Sequence, residues 1–303
     1  MISQTKLLSI MTFLSENGFD KTVEAFGIKD ESLKRYIRLS KKNIPRQPKI
    51  LLFDVETAPM KVLSWSLFKP ILGHKNIISD WYVISWSAKW LFSPDIMGDA
   101  ITPEEALAND DKRIVKSIWE LIDQADIIIA HNGDKFDIKK LNTRFLLHKL
   151  PPPSPYQSID TLVIARKNFL LSSNRLDFLG QLIRNKGKIE TNLELWIRCI
   201  NGEKEALDEM LKYNKEDVNL LEEVYVFLRP WMKSHPNVAI YTEANESSCP
   251  VCGSKSIVFT GYYTTMAGQY QSFRCTECGA PSRLGANMLS LNDRKKLLRS
   301  TAR

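Results

Sequence analysis

Long apolar runs and a leader segment are both missing from this sequence. No uninterrupted apolar stretch among its 303 residues reaches the roughly 18 residues that suggest a membrane-spanning helix. The N-terminal residues also lack the apolar core and the small-residue cleavage site of a signal peptide. We therefore expect a cytoplasmic protein with no membrane partner.

Cysteine is scarce, and its placement excludes a disulfide-rich fold. The chain has five cysteines, and four of them form two Cys-x-x-Cys pairs. In a cytoplasmic protein, such pairs indicate metal binding rather than disulfides. The fifth, Cys199, stands alone in a stretch with helical character, so we interpret it as a core thiol.

Acidic residues are outnumbered by basic ones. The chain has 42 Lys and Arg against 35 Asp and Glu, which gives a formal net charge of +7. This mild excess favours polyanionic partners without identifying one. The length is sufficient for two or three domains.

Residues 1–46 are predicted to form a helical module. Apolar residues recur at helical spacing from Leu7 to Leu14, and a short helix, a turn at Gly27 and a helix over 30–42 are expected after them. This arrangement is compatible with a helix-turn-helix whose second helix recognises DNA. A helical cap with a charged, solvated face explains the sequence equally well.

Residues 47–235 have the strand and helix order of an α/β domain. Apolar and β-branched runs predict strands, and helical periods predict helices between and after them. The strands are predicted over 50–53, 62–68, 81–92, 125–130 and 156–160, and the helices over 103–124, 137–148 and most of 175–230. The order resembles a ribonuclease H-like mixed sheet flanked by helices. We expect four tryptophans to pack in the sheet core: Trp65, Trp81, Trp86 and Trp90.

Four acidic residues of this domain lie in three short motifs. Asp54 and Glu56 belong to FDVET (53–57), where strand alternation places both carboxylates on one face. Asp137 follows a buried strand near the mouth of the sheet, and Asp217 lies one helical turn after Tyr213 in YNKED (213–217). Burying unpaired acids costs several kcal/mol, and a bound Mg²⁺ or Mn²⁺ removes that cost. Taken singly, the motifs also fit a solvated acidic loop, a helix cap and a polar helix face.

Together, the patterns D-x-E, N-x-x-x-F-D and Y-x-x-x-D resemble the tyrosine subgroup of the DEDD exonuclease superfamily over roughly residues 48–232. Lys212 stands where the histidine subgroup has its histidine. The segments TAP (57–59), DWYVISWSAKWL (80–91) and LRPW (228–231) further resemble phage-type stand-alone exonucleases that end in a zinc ribbon.

The resemblance implies a two-metal-ion 3′–5′ exonuclease that releases nucleoside monophosphates. Asp54 would bridge two Mg²⁺ or Mn²⁺ ions, Glu56 and Asp217 would complete the first site, and Asp137 would hold the second. Tyr213 would orient the attacking water, because a phenol with an ordinary pKa near 10 is a poor base at neutral pH.

Three more residues are candidates for binding the terminal nucleotide: Thr57, Asn132 and Phe136. For Phe136, we prefer core packing to base stacking. DNA is preferred over RNA as the substrate because of the two terminal modules. The alternatives are an exoribonuclease of the same superfamily and a catalytically inactive nucleic-acid-binding adaptor. The sequence shows no polymerase domain, so a proofreading role would need a replication or repair protein as partner in trans.

Residues 245–303 are predicted to form a zinc ribbon with a basic tail. CPVCG (249–253) and CTECG (275–279) are two cysteine knuckles at a spacing near that of four-cysteine zinc sites. Four thiolates around Zn²⁺ leave no open position, so we expect one structural zinc, and two matched pairs argue against a redox role. The predicted ligands are Cys249, Cys252, Cys275 and Cys278. The basic residues of this segment can hold phosphates, or the ribbon is a plain docking module; they are Arg274, Arg283, Arg294, Lys295, Lys296 and Arg299.

Overall fold

The computed structural model describes residues 4–42, 47–184, 192–241 and 247–298. Two compact units divide the chain, one of residues 1–47 and 241–243 and one of residues 48–240 and 244–303. Parts of several predictions lie outside the described residues, namely the linker at 43–46, the segment 185–191, and the ends of the C-terminal module at 245–246 and 299–303, which include Arg299.

Three helices make up the first unit: α1 (Gln4–Asn17), α2 (Phe19–Phe26) and α3 (Asp30–Lys42). Ile10 and Leu33 are fully buried between them. The rings of Phe13 and Phe26 meet edge to face with 5.5 Å between their centroids. Gly27 ends α2 at φ 57, a left-handed conformation that glycine adopts without steric cost. The predicted turn is therefore present, while DNA recognition by α3 stays a prediction.

The second unit contains a mixed five-stranded sheet with helices on both faces. The strands of this sheet and of a separate two-stranded ribbon are β1 (Ile50–Thr57), β2 (Lys61–Val62), β3 (Ile77–Ser79), β4 (Val83–Trp90), β5 (Ile96–Ala100), β6 (Ile127–Ala130) and β7 (Gln157–Asp160). The helices are α4 (Pro103–Ala108), α5 (Lys112–Ile122), α6 (Asp137–Leu147), α7 (Thr161–Asn168), α8 (Leu176–Arg184), α9 (Leu193–Ile200) and α10 (Lys204–Leu228). The strand order is β5-β4-β1-β6-β7. β4 pairs antiparallel with β1 and β5, whereas β6 pairs parallel with β1 and β7.

Strand β1 lies at the centre of this sheet because its apolar residues serve two cores. Leu51 and Phe53 belong to one buried cluster, and Ile50 and Leu52 belong to another. Successive strand residues point to opposite faces, so the two clusters lie on the two sides of the sheet. A strand buried on both faces reads as a continuous apolar run, as ILLF does. The predicted α/β fold, a mixed sheet flanked by helices, is confirmed.

The prediction of a strand over 62–68 was wrong. Only Lys61–Val62 pairs there, with Ile77–Ser79, in a two-stranded ribbon apart from the main sheet. Trp65 in the loop of this ribbon is fully exposed and not in the sheet core, whereas Trp86 is buried as predicted. The third antiparallel strand is Ile96–Ala100, whose half-buried side chains and internal glycine give no strong strand pattern.

The predicted helix over 103–124 is two helices, α4 and α5. Asn109 ends α4 at φ 53, a left-handed conformation that Asn tolerates better than most residues. At its start, Thr102 and Glu105 form a capping box in which each side chain accepts from the other residue's backbone N–H. None of the helices in the described ranges is long and apolar enough to cross a membrane.

The C-terminal part of the second unit is a small antiparallel sheet of order β10-β9-β8 followed by a short helix. Its elements are β8 (Ile257–Thr265), β9 (Gly268–Cys275), β10 (Pro281–Arg283) and α11 (Leu291–Lys296). The backbone N–H of Val238 donates to the carbonyl of Pro250 over 2.7 Å, which attaches the first cysteine knuckle to the chain after α10.

Asp111 ties the start of α5 to the sheet and to α6. Its fully buried carboxylate accepts from the backbone N–H of Val83 at 2.8 Å and from the Arg144 guanidinium at 2.5 Å. The ring nitrogen Nε2 of His148 lies 2.6 Å from the same carboxylate. Removing one partner of a buried ion pair leaves the other charge uncompensated.

We predict that Asp111→Ala lowers the free energy of unfolding by about 3–5 kcal/mol, because it leaves the positive charge of the buried Arg144 guanidinium uncompensated. Urea denaturation followed by circular dichroism measures this loss. The control is Asp110→Ala, since Asp110 is an exposed neighbour that accepts from the backbone N–H of Lys112. A loss below about 1 kcal/mol in both variants would contradict the assignment of Asp111.

Candidate active site and metal centres

Three of the four predicted carboxylates converge at the end of the central strand. Asp54 and Glu56 occupy alternate positions of β1, and Asp217 reaches them from α10. One oxygen from each of the three lies within 4.8 Å of the others. Carboxylates this close repel one another, and a divalent cation with a preference for oxygen ligands relieves the repulsion. The donor set therefore fits Mg²⁺ or Mn²⁺.

Asn214 is a member of this site that the sequence analysis missed. It is fully buried, and its Nδ2 donates to Oδ2 of Asp54 over 2.6 Å. Asn214 precedes Asp217 by three residues, so both side chains lie on the same face of α10. That spacing inside YNKED was the available signal. A hydrogen bond of this kind fixes the orientation of a ligating carboxylate.

Asp137 lies beside the cluster as the first residue of α6. Its carboxylate is 3% exposed and accepts from the backbone N–H of Val55 over 3.3 Å. Burial is the main cause that raises its pKa to about 7, and the charge of Asp160 raises it further. The backbone N–H groups of Asp137 and Val55 oppose this shift. The residue before it, Phe136, is the N-cap, so the alternative of a capping Asp137 is wrong.

Tyr213 lies four residues before Asp217, half-buried against the apolar cluster that contains Phe53. Residues spaced by four share a helix face. Asn132 adopts φ 66, and its backbone N–H donates to the Asp160 carboxylate over 3.0 Å.

A groove begins at Thr57, the residue after Glu56. Thr57 ends β1, and the groove lining has these eight members: Thr57, Ala58, Pro59, Met60, Trp81, Lys140, Leu193 and Trp196. The Lys140 ammonium lies 3.7 Å from the centre of the Trp81 ring and 5.3 Å from that of Phe136. Phe136 is 41% exposed, so its predicted core packing was wrong. Trp81 was expected in the sheet core, but it is half-buried and lines this groove. The sequence did not reveal the groove because Trp81 and Lys140 approach Thr57 only through the fold.

Four cysteines form a second candidate metal centre. The sulfur atoms of Cys249, Cys252, Cys275 and Cys278 all lie within 4.8 Å of one another. Two of the Sγ–Sγ distances are 3.6 Å, far longer than the roughly 2.05 Å of a disulfide. Four thiolates at about 2.3 Å from a tetrahedral zinc are about 3.8 Å apart. The cluster therefore fits zinc, as expected for a zinc ribbon.

The glycine after each knuckle makes the tight turn around the cluster. Gly253 and Gly279 have φ 76 and 74, and their N–H groups donate to the carbonyls of Cys249 and Cys275. A residue with a Cβ is strained at such φ values. Cys199 lies elsewhere in the core, fully buried, with its thiol donating to the carbonyl of Ala206.

We predict that Cys252→Ser removes zinc from the protein, because three thiolates and a hydroxyl hold the ion far more weakly than four thiolates. Elemental analysis after dialysis should give about one zinc per wild-type chain and much less in the variant. Cys199→Ser is the matched control and should keep the wild-type content. Equal zinc content in both variants would contradict the four-cysteine site.

We predict that Asp137→Asn stabilises the metal-free protein at pH 8. The pKa of Asp137 rises from 3.8 to about 7 on folding, so the folded state binds more protons than the unfolded chain between those values. Stability therefore falls as pH rises through this window, and Asn removes the fall. At about 1.4 kcal/mol per pKa unit, the gain is on the order of 4 kcal/mol.

Urea unfolding in a chelator at pH 5 and pH 8 measures this effect. The control is Asp134→Asn, since Asp134 is exposed and three residues away. A gain that is equal at both pH values, or equal in both variants, would show that the buried charge of Asp137 is not its cause.

The α/β domain of this chain is similar to known proteins. Residues 103–229 match the family RNase_H_2, described as the RNase_H superfamily. A search of curated proteins found no match. Among solved structures, the chain is similar to the family B DNA polymerase from the hyperthermophilic archaeon Pyrobaculum calidifontis, at 14% identity and a TM-score of 0.45. That similarity covers 61% of this chain and only 25% of the polymerase chain. The superfamily match and the sheet topology make the domain ribonuclease H-like in fold, and with the acidic cluster they support a nuclease.

Proposed function

We propose that this protein is a metal-dependent 3′–5′ exonuclease that hydrolyses DNA and releases nucleoside monophosphates. The observation that carries the proposal is the convergence of Asp54, Glu56 and Asp217 from separate elements of a ribonuclease H-like sheet. The resemblance of their motifs to the tyrosine subgroup of DEDD exonucleases supports the 3′–5′ polarity.

The carboxylates would hold two Mg²⁺ or Mn²⁺ ions. Asp54 would help to hold both ions, Glu56 and Asp217 would help to hold one of them, and Asp137 would help to hold the other. When bound, such ions supply a water nucleophile at neutral pH and stabilise the negative charge of the phosphate and the leaving oxygen.

The protein's own side chains orient the reaction. Asn214 keeps the Asp54 carboxylate in position through its 2.6 Å hydrogen bond. Tyr213 would position the attacking water, as it shares a helix face with Asp217. The groove that begins at Thr57 would receive the terminal nucleotide, with Trp81 as a surface for the base and Lys140 as a cation for a phosphate.

Phe136 and Asn132 would contact the same terminal nucleotide of the DNA substrate. The exposed ring of Phe136 is available for base stacking. DNA is preferred as the substrate because a helical unit with a turn at Gly27 precedes the nuclease domain, and this unit would bind duplex DNA as a helix-turn-helix. A replication or repair protein would supply any polymerase activity in trans.

We predict that the wild-type protein shortens 5′-labelled single-stranded DNA from its 3′ end in Mg²⁺ or Mn²⁺, and that a chelator prevents this. Asp217→Ala should reduce the rate more than about 100-fold, since even residues that only orient metal ligands cost about 10- to 100-fold. Denaturing gels with matched RNA and duplex DNA rank the substrates.

The matched control is Glu216→Ala, because Glu216 is the neighbour of Asp217 on the same helix but is less buried. It should cleave at the wild-type rate. Cleavage that survives in both Asp217→Ala and Asp54→Ala/Glu56→Ala would overturn the assignment. A preference for RNA would keep the chemistry and change the substrate.

A further inference from the structure

One face of the C-terminal sheet carries a stack of aromatic and cationic side chains. Tyr263 of β8 lies directly opposite Tyr270 of β9, so both side chains are on the same face. The guanidinium of Arg283 on β10 lies 3.8 Å from the centre of the Tyr270 ring and 5.8 Å from that of Tyr263. Arg283 therefore covers the Tyr270 ring and lies beside the Tyr263 ring, so the stack spans all three strands of the sheet.

Hydroxyl and guanidinium groups extend this face along the strands. Ser272 and Arg274 follow Tyr270 at alternate positions of β9, which places them on its side of the sheet. The hydroxyls of Ser272 and Thr260 lie 3.2 Å apart. Arg274 is exposed and donates to the carbonyl of Gly279 over 2.8 Å, which holds its charged end beside the second cysteine knuckle.

The charge of this segment is mainly of one sign. Residues 257–275, which form both long strands, contain no Asp or Glu. Across 247–298, the acids are Glu277 and Asp293, and the bases are Lys255, Arg274, Arg283, Arg294, Lys295 and Lys296. A polyanion therefore meets attraction and little repulsion at this sheet.

We propose that this face of the sheet binds single-stranded nucleic acid. Bases would stack on Tyr263 and on the outer side of the Arg283 guanidinium, and Arg274 would meet a phosphate. Aromatic platforms interleaved with arginines suit a flexible strand, because every base has a stacking face while phosphates recur along the backbone. Five residues form this platform face: Tyr263, Tyr270, Ser272, Arg274 and Arg283.

Two features favour a nucleic acid over a protein as the occupant. The platform face carries positive charge on strands without Asp or Glu, which matches a ligand with a negative phosphate at every repeat of its backbone. The Tyr270 ring is also held by Arg283 before binding, and strand pairing fixes the backbone of both tyrosines. Preorganised side chains lose little conformational freedom when a ligand stacks on them.

The platform face lies outside the carboxylate cluster, and binding there does not require cleavage. The test uses the full chain carrying Asp54→Ala/Glu56→Ala, without added divalent metal. Fluorescence anisotropy measures its affinity for labelled oligothymidylate and oligouridylate of about 20 nucleotides, which exceeds the range of site sizes common for single-strand-binding folds.

Tyr263→Leu is expected to raise the dissociation constant about 5- to 100-fold, the range found when a stacking aromatic is removed. Arg283→Gln should have a similar effect. The matched control is Tyr262→Leu, because Tyr262 is 62% exposed and adjacent in the chain but points to the opposite side of β8. It should change the constant by less than about twofold.

Arg274→Gln should reduce the slope of log affinity against log salt by about one unit, as expected for the loss of one phosphate contact. Zinc content at the wild-type level in each variant establishes that the module is folded. Unchanged binding in Tyr263→Leu, or equal losses in Tyr262→Leu and Tyr263→Leu, would overturn the proposal. Because the binding assay excludes catalysis, its outcome is separate from that of the cleavage assay.

Discussion

The central strand must carry charged side chains through an apolar sheet, and the rest of the domain is arranged around that requirement. Asp54 follows the fully buried Phe53 and precedes the buried Val55 on a strand paired on both edges. Strand pairing fixes the backbone, and the Asn214 amide fixes one carboxylate oxygen. α10 then has to cross this strand end to bring Asp217 within reach. Protons or cations nearby relieve the repulsion in this concentration of negative charge, and the oxygen ligands fit a hard metal ion.

The two candidate metal centres differ in the hardness of their ligands. Carboxylate oxygens at the strand end suit Mg²⁺ or Mn²⁺, which leave positions open for water and substrate. Thiolates at the cysteine knuckles suit Zn²⁺ and close its coordination shell. The carboxylate centre therefore suits a metal that exchanges water and substrate ligands, whereas the cysteine centre suits a metal that holds the chain together.

Patterns in the sequence predicted the features that depend on residues close together in the chain. The run ILLF, the D-x-E spacing and the paired cysteines predicted the central strand, its two carboxylates and the four-sulfur cluster, because each depends on residues close in the chain. The strand at Ile96–Ala100 was missed because edge pairing, not composition, holds it. Residues 62–68 have the apolar content of a strand but no sheet edge to join. The groove beside Thr57 depends on contacts between distant segments, and no spacing in the sequence encodes them.

α10 connects the two centres through one rigid element. Its 25 residues span about 37 Å, with Asp217 near the middle and its last turn continuing into Arg229–Trp231. There Pro230 lies against the second cysteine knuckle, since a Cβ at Gly279 would be 3.9 Å from the proline ring. If zinc at the knuckles changes the free energy of metal binding at Asp217, then metal at Asp217 changes the free energy of zinc binding by the same amount. The order of metal loading can therefore alter the route to the loaded protein, but not its final stability.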